Sequence, residues 1–292
     1  MKQSKTFWRL NIVMAISEKI ELLGKEYYAA QKIGIPGELT LQAIPTVSEL
    51  DFVTSEDFDQ VMIDKILPQS VKEQIDFKNL LEIDYSWLLR CLRILNYGPY
   101  YTTNSIFCPK CGRQYGEYNV DFQMINCKPL PEGFKNNFLI KRDEFLEFNG
   151  DIEIKMLTIG EAIQAYKDSA FQRPNGMINR ELSRDCYMIK SISGKLNMSP
   201  IEIRLKLEKE MSSADFIILK DRINELTDYG LRAGGRCTCP NCHNTDATFI
   251  ALVDDRFFRP TLVNLRTWKE DLGRRKAENT ARSKTEDVRK HN

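Results

Sequence analysis

Two short stretches constrain this chain more than any other feature. "IFCPKCGRQYG" spans 106–116 and "RCTCPNCHNTD" spans 236–246. Each carries a Cys-Pro-x-Cys knuckle, Cys108 with Cys111 and Cys239 with Cys242, and 127 residues lie between Cys111 and Cys239. A Cys-x-x-Cys turn points two sulfurs at one ion, and two such turns complete a tetrahedral four-thiolate zinc site. Each knuckle precedes an alternating strand, which is the two-hairpin plan of a zinc ribbon. Ribbons normally separate their pairs by about 15–20 residues. The long interval therefore predicts an insertion that leaves after the first knuckle and returns at the second. The predicted ligands are Cys108, Cys111, Cys239 and Cys242, with Cys127, Cys237 and His243 as possible substitutes and iron as the minor alternative to zinc. Four cysteines leave no open coordination position, so such a site is structural and not catalytic.

The eight cysteines come without a secretory signal. The N-terminal apolar run is interrupted by Asn11 and followed at once by Ser17, Glu18 and Lys19, and 14–33 reads as a helix. No stretch approaches 18 uncharged apolar residues, so no membrane span is expected. In a reducing compartment, Cys-x-x-Cys pairs read as metal ligands before disulfides. Cys91 and Cys186 fall on apolar helix stripes and read as core.

The fold expected is α+β: a zinc-ribbon-like β module with N-terminal helices and an inserted helical subdomain. Five segments follow. Residues 1–50 form a helix and an extended arm, and 51–156 carry helices, the first knuckle and β-hairpins. Residues 157–230 form a helical subdomain, 231–264 the second knuckle and its strand, and 265–292 a polar tail. Within 51–156, "TSEDFDQVMIDKILP" predicts a helix capped by Thr54 or Ser55 and ended by Pro68. "DYSWLLRCLRILNYGP" predicts one capped by Asp84 and stopped by Gly98 and Pro99. Asn149-Gly150 suits a type I′ hairpin turn. Residues 157–230 show no strand period. Thr158 with Glu161, and Ser199-Pro200 with Glu202, make two capping boxes.

Charge and motif content exclude several functions. There are 42 basic and 41 acidic residues, so no global positive field draws nucleic acid. The chain has two histidines, no P-loop and no Gly-x-Gly-x-x-Gly, and no nucleophile with its base is visible. The expectation is a protein that is not an enzyme. Arg266–Asn292 holds nine basic and five acidic residues, and Trp268 with Leu272 reads as a short helical anchor for a neighbour. Basic residues around Trp268 also allow a nucleic-acid-binding zinc-ribbon protein, an alternative weakened by the acids among them.

The order of the pieces is also distinctive. "VMIDKILPQSV" is followed by "FKNLLEIDYSWLLRCLRILNYGPYYTTNSIFCPKCG", a helical stretch, "CPNC" and a strand ending "FFRP". Over roughly residues 40–260 this resembles the baseplate proteins of T-even-type contractile-tail bacteriophages. The resemblance implies a structural virion component at or near the baseplate hub, or else a tail assembly chaperone not retained in the particle. It implies other baseplate and tail proteins as partners and assembly in the host cytoplasm.

Overall fold

A computed structural model describes residues 17–44, 57–103, 106–115, 118–122, 125, 127–231, 234–250, 258, 264, 266–271 and 273–274. The chain is an α+β protein. It divides into two compact units. One joins Ser17–Leu89 to Cys127–Arg232, and the other is built on Arg90–Asn126 and Ala233–Asn292. Among the described residues, no helix is long and apolar enough to cross a membrane.

The first unit opens with β1 (Ser17–Glu21), α1 (Lys25–Gln31) and β2 (Glu38–Gln42). The strands are antiparallel, with Ser17 opposite Gln42 and Glu21 opposite Glu38. Of the helix expected over 14–33, residues 14–16 lie outside the described residues, and 17–33 form a strand, a turn and a shorter helix. Ile20 faces inward together with Leu39 and Leu41, and pairing with β2 overrides the helical pattern of 17–21. Next come α2 (Phe58–Val61), a π-helical turn at Met62–Ile66, and α3 (Leu67–Ser70). The cap is Asp57, whose carboxylate accepts from the Gln60 N–H at 3.3 Å; Thr54 and Ser55 lie outside the described residues. Pro68 does not end the helical run. It sits in the first turn of α3, where a missing N–H costs little.

The long apolar helix is α4 (Glu82–Tyr97), and the division between the units falls inside it, after Leu89. Asp84 lies within its first turn, fully buried. The carboxylate accepts from the N–H groups of Leu23 at 2.6 Å and Gly24 at 3.2 Å and from the Tyr28 hydroxyl at 2.7 Å. That hydroxyl in turn accepts from the Leu81 N–H at 2.9 Å. The residue expected to cap its own helix instead satisfies the turn leading into α1.

Four further strands belong to the second unit: β3 (Tyr100–Thr103), β4 (Ile106–Phe107), β5 (Gln114–Tyr115) and β6 (Tyr118–Asp121). β3 pairs with β6. The chain then re-enters the first unit through β7 (Cys127–Lys128), β8 (Phe138–Ile140) and β9 (Ile152–Ile154). α5 (Ile159–Lys167), α6 (Arg180–Met188), β10 (Ile189–Ile192) and β11 (Lys195–Leu196) follow. α7 (Pro200–Glu210), α8 (Ser213–Thr227) and β12 (Gly230–Leu231) complete it. Both capping boxes form as expected, at Thr158/Glu161 and Ser199/Glu202.

Three expectations need correction here. Residues 157–230 are not helical throughout, because β10 and β11 make a hairpin in an antiparallel sheet ordered β11-β10-β9-β8. Its two-residue turn is Ser193-Gly194, with φ of 51° and 74°, the positive pair that tight hairpins require. The turn expected at Asn149-Gly150 does not form, and β8 reaches β9 through the 3-10 turn Arg142–Glu144. Phe145 and Phe148 turn inward, and the buried carboxylate of Asp215 on α8 accepts from the N–H groups of Leu146, Glu147 and Phe148. Burial alone would raise the Asp215 carboxyl, but these N–H groups and the Ser212 hydroxyl hold it below its ordinary value. Finally, the inserted body begins and ends where β7 pairs with β12, Cys127 opposite Leu231. It is therefore wider than 157–230, and it shares its unit with Ser17–Leu89.

The last strands, β13 (Gly234–Cys237) and β14 (Ala247–Ile250), belong to the second unit. There Arg93 is fully buried and donates to the carbonyls of Gly98 at 2.6 Å and Tyr100 at 2.7 Å. The polar segment expected to anchor a neighbour through Trp268 begins by packing on its own unit. Backbone over 266–271 is helical, the Tyr100 hydroxyl donates to Asp271, and the Trp268 ring covers Gly98. Gly98 has φ of 78°, and an added Cβ would stand 2.4 Å from Trp268 Cγ. Gly98→Ala should therefore cost about 2–4 kcal/mol, from the left-handed backbone and the displaced indole together. A lowered urea midpoint checks this. Leu272 and residues 275–292 lie outside the described residues.

Candidate metal centre

The knuckles sit in the turns of two hairpins. β4 pairs with β5 across the first and β13 with β14 across the second, and β14 also pairs with β4. The sheet order is β13-β14-β4-β5. Alternation gives this sheet an inner face with Ile106 and Phe249 and an outer one with Phe107, half exposed. The β4–β14 pairing sets Phe107 opposite Thr248 and so holds the two turns at one end of the sheet.

Both knuckles have the same local geometry. The Cys108 N–H donates to the Arg113 carbonyl at 3.1 Å, and the Gly112 N–H to the Cys108 carbonyl at 2.9 Å. In the second, the Cys239 N–H donates to the Asn244 carbonyl at 2.8 Å, and the His243 N–H to the Cys239 carbonyl at 3.0 Å. Gly112 and His243 hold corresponding positions, with φ of 66° and 54°. Glycine adopts that region freely, whereas histidine does so against a small penalty.

The predicted sulfurs converge. The four Sγ atoms of Cys108, Cys111, Cys239 and Cys242 lie within 4.8 Å of one another. Cys108 and Cys242 are 3.6 Å apart, and Cys111 and Cys239 are 3.9 Å apart. A zinc ion bound at about 2.3 Å to four tetrahedral sulfurs sets them about 3.8 Å apart, between these two values. A disulfide needs about 2.05 Å, and all eight cysteines are free thiols. Cys108 and Cys239 are fully buried, Cys111 and Cys242 partly so. Across the site, Arg113 donates to the Asn241 side chain at 3.3 Å, and Asn244 approaches the Cys108 sulfur at 3.9 Å.

Electrostatics also fit a cation. The Asn244 N–H favours a Cys242 thiolate, but burial and the thiols of Cys108, Cys239 and Cys111 outweigh it and push Cys242 up to about 11. Four thiolates cannot share this volume without a positive ion among them. The three possible substitutes stand outside the group. Cys237 lies on β13 opposite Ala247, Cys127 lies on β7 in the other unit, and the exposed His243 supplies backbone geometry. Cys91 and Cys186 are buried in the helices, and burial pushes the Cys186 thiol up to about 12, which leaves it inert.

Compared with known families, curated proteins and solved structures, the chain matches none.

What sequence reasoning missed was polar and buried. Asp84 and Asp215 each gather three donors from distant backbone or side chains; the sequence marks Asp84 only as a cap of its own helix and does not mark Asp215.

Proposed function

We propose that Cys108, Cys111, Cys239 and Cys242 hold one zinc ion in a closed zinc ribbon. We propose further that the protein is a non-enzymatic structural component, at or near the hub, of the baseplate of a T-even-type contractile tail. The convergence of the four sulfurs carries the first part. With every coordination position filled by thiolate, the ion has no site for water or substrate, and its work is to join two hairpins distant in sequence. The resemblance of "WLLRCLRILNYG" running into "YYTTNSIFCPKCG" supports the second part. Elemental analysis of purified protein tests the ion: the expected result is one zinc per chain, and iron or no stoichiometric metal refutes it. Mass spectrometry of purified particles of the encoding phage tests placement. Detection at a fixed copy number supports a virion component, and presence in infected cells but not in particles means an assembly chaperone.

The polar C-terminal segment is the proposed grip on neighbouring baseplate and tail proteins. Because Trp268 and Asp271 already engage their own unit, the gripping residues are placed after Arg274. Deleting 275–292 should leave folding and zinc content intact but stop incorporation into particles. Infectious particles at the full-length yield would show that the grip lies elsewhere.

A further inference from the structure

Within the unit formed by Ser17–Leu89 and Cys127–Arg232, an open cavity of about 180 Å³ adjoins the first turns of α4. Its polar wall comes from Glu82 and Ser86 on α4, Arg184 on α6, Thr227 at the end of α8, and Tyr229. Ile83, Met156 and Leu231 supply apolar surface. None of these residues takes part in the metal centre. Arg184 Nη2 donates to Glu82 Oε2 at 2.7 Å, with the two side chains 26% and 21% exposed. The Thr227 hydroxyl already donates to the Ile223 carbonyl at 3.0 Å, so it faces a ligand as an acceptor. The Tyr229 ring is held under the Lys128 ammonium at 4.3 Å and against Phe134, which fixes where its hydroxyl sits.

These features select a ligand by charge and size. Glu82 already balances Arg184, so an incoming carboxylate or ammonium would bring a charge with no counterpart and would lose its hydration. A primary amide is neutral and two-sided. Its carbonyl accepts from guanidinium N–H groups used by neither Glu82 nor the Tyr166 hydroxyl, and its NH₂ donates to the Glu82 carboxylate. The hydroxyls of Ser86 and Tyr229 can donate or accept beside it. The cavity is smaller than the roughly 300–1,000 Å³ of pockets that enclose a whole small molecule. It suits one side chain entering from outside. We propose that this cavity is an anchor site for the side-chain amide of a glutamine or asparagine presented by a segment of a neighbouring protein. The site is independent of the zinc assignment and of the particle in which the protein serves.

An NMR titration of the full-length, metal-loaded protein tests this, with N-acetyl-glutamine N-methylamide and N-acetyl-glutamate N-methylamide as probes, so that the glutamine side chain carries the only primary amide. The glutamine probe should shift the backbone signals of Ser86, Arg184 and Tyr229 saturably, with a dissociation constant on the order of 1–10 mM for so small a ligand. The glutamate probe should bind at least about 10-fold more weakly, because its charge is unmatched. Free glutamine, which brings an ammonium and a carboxylate with no counterpart in the cavity, should also bind more weakly. Ser86→Ala removes one hydroxyl without touching the Glu82–Arg184 pair. It should weaken the glutamine probe about 3–10-fold while the urea midpoint stays in place. Absence of saturable shifts at these residues, equal binding of the glutamate probe, or an unchanged affinity in Ser86→Ala would overturn the site. Tighter binding of free glutamine would overturn the protein segment as its source.

Discussion

Cys108→Ser is expected to abolish stoichiometric metal binding and to unfold the hairpin pair that carries the knuckles. The sulfur it removes is fully buried and stands 3.6 Å from that of Cys242. A serine hydroxyl does not replace a thiolate toward zinc. The remaining three thiolates would then face one another around a weakly held ion. In an isolated module a four-thiolate zinc contributes on the order of 10 kcal/mol to folding at neutral pH, so the loss should exceed what the short strands can offset. Metal content together with loss of the β4–β14 amide protection in hydrogen exchange checks it. Cys186→Ser serves as the control. It changes a buried thiol remote from any ligand role and should keep the metal, at a cost of about 1–2 kcal/mol for burying a hydroxyl.

Asp84→Ala should be the most damaging change outside the metal centre, at about 3–5 kcal/mol. It leaves the Leu23 and Gly24 N–H groups and the Tyr28 hydroxyl without their acceptor in a buried site. The effect depends on pH in a direction fixed by burial. Burial raises the Asp84 carboxyl from 3.8 to about 6, against the lowering by the Tyr28 hydroxyl and the two N–H groups. A raised carboxyl favours the protonated fold. The contribution is therefore fully present below pH 3.8, where folded and unfolded chains are both protonated, and is lost as pH rises through about 6. Urea unfolding at pH 5 and pH 7.5 should show the gap between wild type and variant shrinking by roughly 1–1.5 kcal/mol at the higher pH, since part of the contribution is already lost at pH 5. Asp215 behaves in the opposite sense. Its lowered carboxyl contributes above its unfolded value and loses that contribution as pH falls through the folded one. The two aspartates thus pull the acid limb of the stability curve in contrary directions.

These two predictions also mark what could be read from the sequence. The four-cysteine cluster was legible because the spacing is local: Cys-x-x-Cys closes its own turn, and two equal turns in equal strand contexts imply one site. The capping boxes were legible for the same reason, each satisfied within four residues. Strand assignment failed where pairing partners are remote. Ser17–Glu21 reads as helix until β2 is known to lie beside it, and Ile189–Ile192 reads as helix until β9 does. Asn149-Gly150 carries the stronger turn signal, yet Ser193-Gly194 makes the turn, because Asp215 and the inward phenylalanines hold 145–148 out of the sheet. Asp84 looks like a cap, but its donors come from about 60 residues upstream. In each case the deciding contact is tertiary, and no window of the chain contains both partners.

The 127 residues between Cys111 and Cys239 also have a consequence for synthesis. At roughly 5–20 residues per second, the first knuckle is synthesised about 6–25 s before the second exists. During that interval Cys108 and Cys111 are two thiols with half a coordination shell, open to oxidants and to competing soft metals. The inserted body can fold meanwhile, since β7 and β12, at its ends, are both made before Cys239. Translation thus makes every strand of the insertion before the second knuckle, and the four-cysteine site cannot close until Cys239 and Cys242 have been made.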